Sequence, residues 1–209
     1  MTSQLERAVE VMDRLRSPGG CPWDAQQTHE SLAKYLLEET YELLEAIETG
    51  DLGLLREELG DLLLQVLFHA RLTEELPDGQ AFSIDDVARD LVEKLIRRHP
   101  HVFADAEVSD VDELDETWER QKAAEKGRTS AVDGVPMAQP ALALSGKLLA
   151  RARRAGLDVR PEPTSDLGER LFAMVCEAAD AGVDAEAALR QTARAYRDAI
   201  LAAEAAGPT

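Results

Sequence analysis

Apolar residues in the first third of the chain recur every three or four positions. Leu5, Ala8, Val9, Met12 and Leu15 make the stripe of an amphipathic helix over 4–16, which Ser17-Pro18-Gly19-Gly20 ends. Cys21-Pro22-Trp23-Asp24 reads as a tight non-helical segment, and Thr28 as the N-cap of the next helix. In that helix Leu36, Leu37, Thr40, Leu43, Leu44 and Ile47 form the apolar face. Gly50-Asp51 predicts a turn. The helix after it, from about Leu54 to Thr73, is apolar nearly all round through Leu59, Leu62, Leu63, Leu64, Val66, Leu67 and Phe68, the pattern of a central helix.

Pro77-Asp78-Gly79 breaks the pattern, and Ser83-Ile84-Asp85-Asp86 offers a capping box in its Asp variant. The helix that follows carries Val87, Leu91 and Leu95 on one side and stops before Pro100. Ser109 to Asp112 reads as a further cap, leading a helix with Leu114, Trp118 and Lys122. The pattern predicts an all-α chain with a domain over 1–126, a small and polar linker over 127–136, and a C-terminal region over 137–209. That last region is Ala- and Arg-rich helix broken at Pro161 and Pro163. It holds a faint internal echo: Leu59-Gly60-Asp61-Leu62-Leu63 against Leu167-Gly168-Glu169-Arg170-Leu171, and Lys94 and Arg97 against Arg194 and Arg197. The region therefore reads as a shortened, degenerate helical second copy that lacks the first acidic helix.

The two helices flanking Gly50-Asp51 carry an excess of acid. Glu38, Glu39 and Glu42 lie on the first, Glu57, Glu58 and Asp61 on the second, and Arg56 is the one base among them. At about 100° per residue, Glu39 falls about 40° from Leu43, at the edge of the core face, with Glu42 about 60° further round. Glu58 and Asp61, three apart, are neighbours on the apolar helix, with Gln65 on the same side. Buried charge must be paired or coordinate a metal. Hard oxygen donors without His or Cys suit Mg²⁺, with Mn²⁺ as the substitute, whereas a di-iron bundle would want Glu-x-x-His. A solvated acidic face is the usual meaning of such clusters. That reading competes for Glu38 and Glu45, and it fits Glu58 and Asp61 poorly.

Other candidates keep two readings each. Lys94, Arg97 and Arg98 could clamp phosphate oxygens or complement a helix C-terminus. Trp118 with Lys122 one turn on could supply a stacking plane and a phosphate contact, or Trp118 could be interior. Trp23-Asp24 is a packing anchor or part of a base pocket. His29, His69, His99 and His101 show no ligand spacing.

Composition narrows the partners. The formal net charge of −18 over 209 residues argues against a nucleic-acid polymer or an anionic membrane, both of which are bound through basic patches. Cys21 and Cys176 belong to no CxxC pair and suggest a reducing compartment. The N-terminus lacks the continuous apolar core of a signal peptide, and the longest apolar run, LLLQVLF, is too short to span a bilayer. A soluble, cytoplasmic protein is expected.

Taken in order, several segments resemble the MazG family of nucleoside triphosphate pyrophosphohydrolases, over residues 1 to about 160. They are Gly20-Cys21-Pro22-Trp23-Asp24, Gln27-Thr28-His29, Leu37-Glu38-Glu39-Thr40-Tyr41-Glu42 and Glu57-Glu58-Leu59-Gly60-Asp61-Leu62. Arg97-Arg98-His99-Pro100-His101-Val102-Phe103, Trp118 with Lys122, and Gln139-Pro140-Ala141-Leu142 follow. The resemblance implies a four-helix-type core that dimerises and hydrolyses a nucleoside triphosphate to the monophosphate and pyrophosphate. It implies Mg²⁺ held by Glu39, Glu42, Glu58 and Asp61, and phosphate contacts from Lys94, Arg98 and Lys122. Trp118 would lie near the nucleotide. Glu38 is then the candidate to position or deprotonate the attacking water. Two other expectations fit the same carboxylates: a catalytically weak helical dimer that binds nucleotide or a protein partner, and a hydrolase specific for one nucleotide, such as dUTP or a phosphoribosyl-ATP.

Overall fold

The computed structural model describes residues 3–77, 79–104, 117–118, 121–123, 125–160 and 166–206. Every regular element among them is helical. Contacts divide the chain into two compact units, Met1–Ser109 and Asp110–Thr209.

In the first unit, α1 spans Gln4–Arg16 as the spacing predicts. A capping box starts it, with the Ser3 hydroxyl accepting the Glu6 N–H and the Glu6 carboxylate accepting the Ser3 N–H. The chain then doubles back so tightly that a Cβ on Gly20 would lie 2.2 Å from the Leu15 carbonyl oxygen, and the Cys21 N–H donates to that oxygen at 2.7 Å. Only glycine fits there. A single 3₁₀ turn, Asp24–Gln26, leads to α2, His29–Thr49. The Thr28 and Ser31 hydroxyls each accept the other's backbone N–H there, at 3.2 and 2.9 Å.

Gly50, left-handed at φ 74°, stops α2 by donating its N–H to Ala46. Asp51 at once caps α3, Leu52–Thr73, by accepting the N–H groups of Gly53 and Leu54 at 2.8 and 3.1 Å. This cap starts α3 two residues before the expected Leu54. After a break at 74–83, the box between Ser83 and Asp86 opens α4, Ile84–Arg98. Pro100 begins a four-residue helical turn, α5, Pro100–Phe103. The expected cap at Ser109 to Asp112 and Leu114 lie outside the described residues.

The central position expected of α3 is observed: it packs on α1, α2 and α4. The core is Met12 from α1, Leu32 from α2, and Leu67, Phe68 and Leu72 from α3, with Tyr35 and Ile84 against it. Trp23 packs edge-on to Tyr35 and Phe68, with centroids 5.8 and 6.4 Å away, and remains half exposed. The apolar stripe of α4 behaves otherwise. Val87, Leu91 and Leu95 stay exposed, and Ile84 alone of that helix reaches the core cluster.

Two polar arrangements join these elements. The Arg16 side chain, 7% exposed, donates to both carboxylate oxygens of Glu75 at 2.7 and 2.9 Å. It also donates to the carbonyls of Asp24 and Gln27. One guanidinium thus ties the end of α1 and the 3₁₀ turn to the end of α3. The second arrangement joins His29 to His69. Their Nδ1 atoms lie 2.7 Å apart, and the rings are parallel within 4° with centroids 5.0 Å apart. That separation is little more than the N···N distance plus the two ring radii, so the rings meet edge to edge across a single proton. Burial, then the charge of His29, hold the His69 pKa below its usual value.

The second unit holds α6, Ala141–Arg154, α7, Leu167–Asp180, and α8, Ala185–Ala206, each in contact with the other two around Leu149, Val175 and Cys176. Residues 127–136 form turns in which the Asp133 carboxylate accepts the N–H groups of Thr129 and Ser130, each at 2.8 Å. Leu167-Gly168-Glu169, the echo of Leu59-Gly60-Asp61, occupies the first turn of α7 on the Asp166 cap. No helix among the described residues is long and apolar enough to cross a membrane.

Removing the guanidinium in Arg16→Met leaves Glu75 with Arg71 alone as its donor and takes one donor from each of the Asp24 and Gln27 carbonyls, and an unfolding loss of about 2 kcal/mol is expected in urea titration at neutral pH. The hydrogen bond from Arg16 is the main cause of the lowered Glu75 pKa. The loss should therefore be full above the unfolded carboxylate pKa and shrink as pH falls through the folded one. The depressed His69 pKa has the same sign: its contribution is intact above about pH 6.5 and declines as pH falls. Thermal melts of His69→Leu against the parent, run from pH 8 to pH 5, should show this decline in the parent alone.

Candidate metal centre

The short turn at Gly50-Asp51 folds α2 and α3 antiparallel and fixes which acids face each other. Carboxylate oxygens of Glu39, Glu58 and Asp61 lie within 4.8 Å of one another. Glu58 is 6% exposed, and its Oε2 is buried without a hydrogen-bond partner in the protein. Glu39 and Asp61 are half-buried. Glu42 and Glu38 are exposed on α2, and Glu42 is not part of the trio.

The electrostatics have one sign. Burial first, then Asp61, Glu42, Glu58 and Glu38, raise the pKa of Glu39. Burial first, then Glu42, Asp61 and Glu57, raise that of Glu58. Every charge acting on these two groups is another carboxylate, so Arg56 does not relieve them. Three converging carboxylates with an orphaned buried oxygen fit a hard divalent cation. Mg²⁺ or Mn²⁺ suits the donor set, and the absence of His or Cys from the trio disfavours zinc.

The trio begins a longer polar stripe on α3. Glu58, Asp61, Gln65 and His69 follow one another at steps of three, four and four residues, along one face. Glu58 Oε2, Gln65 Oε1 and His69 Nε2 are all buried without a hydrogen-bond partner in the protein. Such atoms are few in a native protein, and here three share a face of the central helix.

The basic candidates fall in both units. Lys94 and Arg97 line an open groove on α4 together with Phe82, Val87, Leu91 and, from α3, Val66. Arg98 is half-buried next to them in sequence. Trp118 and Lys122 are half-buried and belong to the second unit. Nothing in the residue pattern points to the Arg16–Glu75 clamp, since an arginine in a last helical turn is expected for dipole reasons alone. Nor does it point to the His pair, whose partners are 40 residues apart.

Comparison with known proteins identifies the family. The family model of the MazG nucleotide pyrophosphohydrolase domain matches residues 27–103, a span that includes every acid of the centre and Lys94, Arg97 and Arg98. A nucleoside triphosphate pyrophosphohydrolase/pyrophosphatase MazG from Thermotoga maritima is 40% identical over 92% of this chain and 82% of its own. An uncharacterized 26.1 kDa protein from Streptomyces cacaoi is 54% identical over 97% of this chain and 83% of its own. The nucleoside triphosphate pyrophosphohydrolase of Mycolicibacterium smegmatis is 47% identical over 97% of this chain, which spans 60% of that relative's length. The chain belongs to the MazG family.

The raised carboxylate pKa values set the sign of a measurement. A group whose folded pKa exceeds the unfolded one destabilises the fold at neutral pH, and the penalty is relieved as pH falls toward the unfolded value. Metal-free Glu58→Gln should therefore melt above the parent at pH 7.5, with the gap narrowing toward pH 4.5. Adding Mg²⁺ or Mn²⁺ should raise the parent's melting temperature and leave the variant's nearly unchanged.

Proposed function

We propose that this protein hydrolyses nucleoside triphosphates to the monophosphate and pyrophosphate, with Mg²⁺ as the resident ion and Mn²⁺ able to replace it. The observation that carries the reading is the trio of Glu39, Glu58 and Asp61, mutually repelling and shifted by other carboxylates rather than by any basic side chain, in a chain of the MazG family. Glu39, Glu42, Glu58 and Asp61 are the proposed ligands. Glu42, exposed one turn along α2, completes the set by a rotamer change. When bound, the ion supplies charge neutralisation at the phosphate oxygens and orients an in-line attack.

The chain's own residues do the rest. The carboxylates would hold the ion midway along the α2–α3 hairpin, and the rigid cap-to-cap turn keeps them in register. Glu38, exposed beside Glu39, takes a proton from the attacking water at the α-phosphorus. Lys94, Arg97 and Arg98 offset charge on the departing pyrophosphate. For Trp118 and Lys122, stacking on the base and a phosphate contact rest on the motif match alone. The exposed apolar residues Leu37, Ile47, Leu59, Leu91 and Leu95 support a homodimer that covers them. The charge supports a soluble, cytoplasmic enzyme of free nucleotides rather than of nucleic acid or membranes.

The test is a panel of nucleoside triphosphates incubated with pure protein and Mg²⁺, with the products resolved. Monophosphate and pyrophosphate are expected, and release of orthophosphate alone would refute the reaction. Glu58→Ala and Asp61→Ala should each lose activity on the order of 100-fold or more. Either variant working at the parent's rate would refute the site.

A further inference from the structure

Gln65 takes no part in the reading above, yet it is 5% exposed and its Oε1 is buried with no donor in the protein. A buried polar atom left unsatisfied destabilises a fold, and a hydrophobic residue of similar shape usually does better there. α3 is otherwise filled with such residues, from Leu62 to Leu67. The orphan therefore points to a ligand rather than to packing.

Its position says which. Gln65 lies one helical turn beyond Asp61 on the stripe that begins at Glu58. Side chains at i and i+4 have Cβ atoms about 5–6 Å apart, a gap that one water spans by donating one proton to each acceptor. A water held in that way turns its lone pairs away from both acceptors. We infer that Gln65 is a positioning residue, holding with Asp61 the water that attacks the substrate phosphorus. The inference rests on the hydrolase reading and deepens it. In the step, the water oxygen bonds to phosphorus and the bond to the bridging oxygen of pyrophosphate breaks. That oxygen keeps the electron pair, and the water proton leaves to the carboxylate side. The proton donated to Asp61 passes onto that carboxylate and from it to Glu38, the final acceptor.

Gln65→Met and Gln65→Glu test this in the full chain. The first keeps shape and removes the acceptor; the second keeps an acceptor oxygen. Gln65→Met should melt about 2–4 °C higher without metal, bind Mn²⁺ within about twofold of the parent by calorimetry, and lose about 10- to 100-fold in kcat with KM nearly constant. Gln65→Glu should keep kcat within about threefold. A Gln65→Met protein at the parent's kcat would overturn the inference, as would equal losses in both variants. Should Gln65→Met fail to fold, a loss beyond tenfold in Gln65→Glu overturns it alone. A parent inactive on the whole nucleotide panel would overturn the hydrolase reading, and this inference with it; an active parent beside an unaffected Gln65→Met removes only the latter.

Discussion

Like charges held together at the edge of an apolar helix are the constraint that the first unit is built to sustain. Glu39, Glu58 and Asp61 oppose the closing of the α2–α3 hairpin, and the remainder of the unit holds it closed. Gly50 and Asp51 leave the turn no slack. The His29–His69 contact fixes the opposite end of the hairpin. Leu32, Leu67 and Phe68 supply apolar burial between that end and the acids. Arg16 clamps the far end of α3 through Glu75. The stabilising contacts thus lie at both ends of the hairpin and the mutually repelling acids midway between them, so the ends offset the repulsion in the middle.

Much of this was legible in the residues, because caps and periodicity are local. Ser3, Thr28, Gly50, Asp51 and Ser83 each act within a few positions and each defines a helix end, Asp51 doing so two residues before the start that the pattern predicts. The acids were legible for a related reason. A carboxylate pair three residues apart on an all-round apolar helix has no ordinary explanation, and the structure brings Glu58 and Asp61 together with Glu39.

What the pattern did not carry was non-local or dependent on orientation. Helical angles put Glu42 about 60° further from the core face than Glu39, but they do not say that Glu42 stays outside the trio. That distinction depends on the crossing of two helices. Trp23 could be anchor or pocket, and the structure shows its edge-on packing against Tyr35 and Phe68. The α4 stripe reads as a core face and is exposed, since periodicity tells which residues share a face and not what covers it. Arg16 and Glu75 meet across 59 residues, a distance over which no short-range signal operates.

The two-residue turn at Gly50-Asp51 also bears on how the chain folds. Because it joins the acidic helices directly, the contacts that assemble the centre are close in sequence, and hairpins of that kind form early and fast. The carboxylates therefore meet while much of the chain is still unfolded, when there is no core to hold them. Their repulsion falls on the folding transition state as well as on the finished structure. A divalent ion captured by the closing hairpin would speed folding, where an ion bound only by the completed fold would merely slow its unfolding.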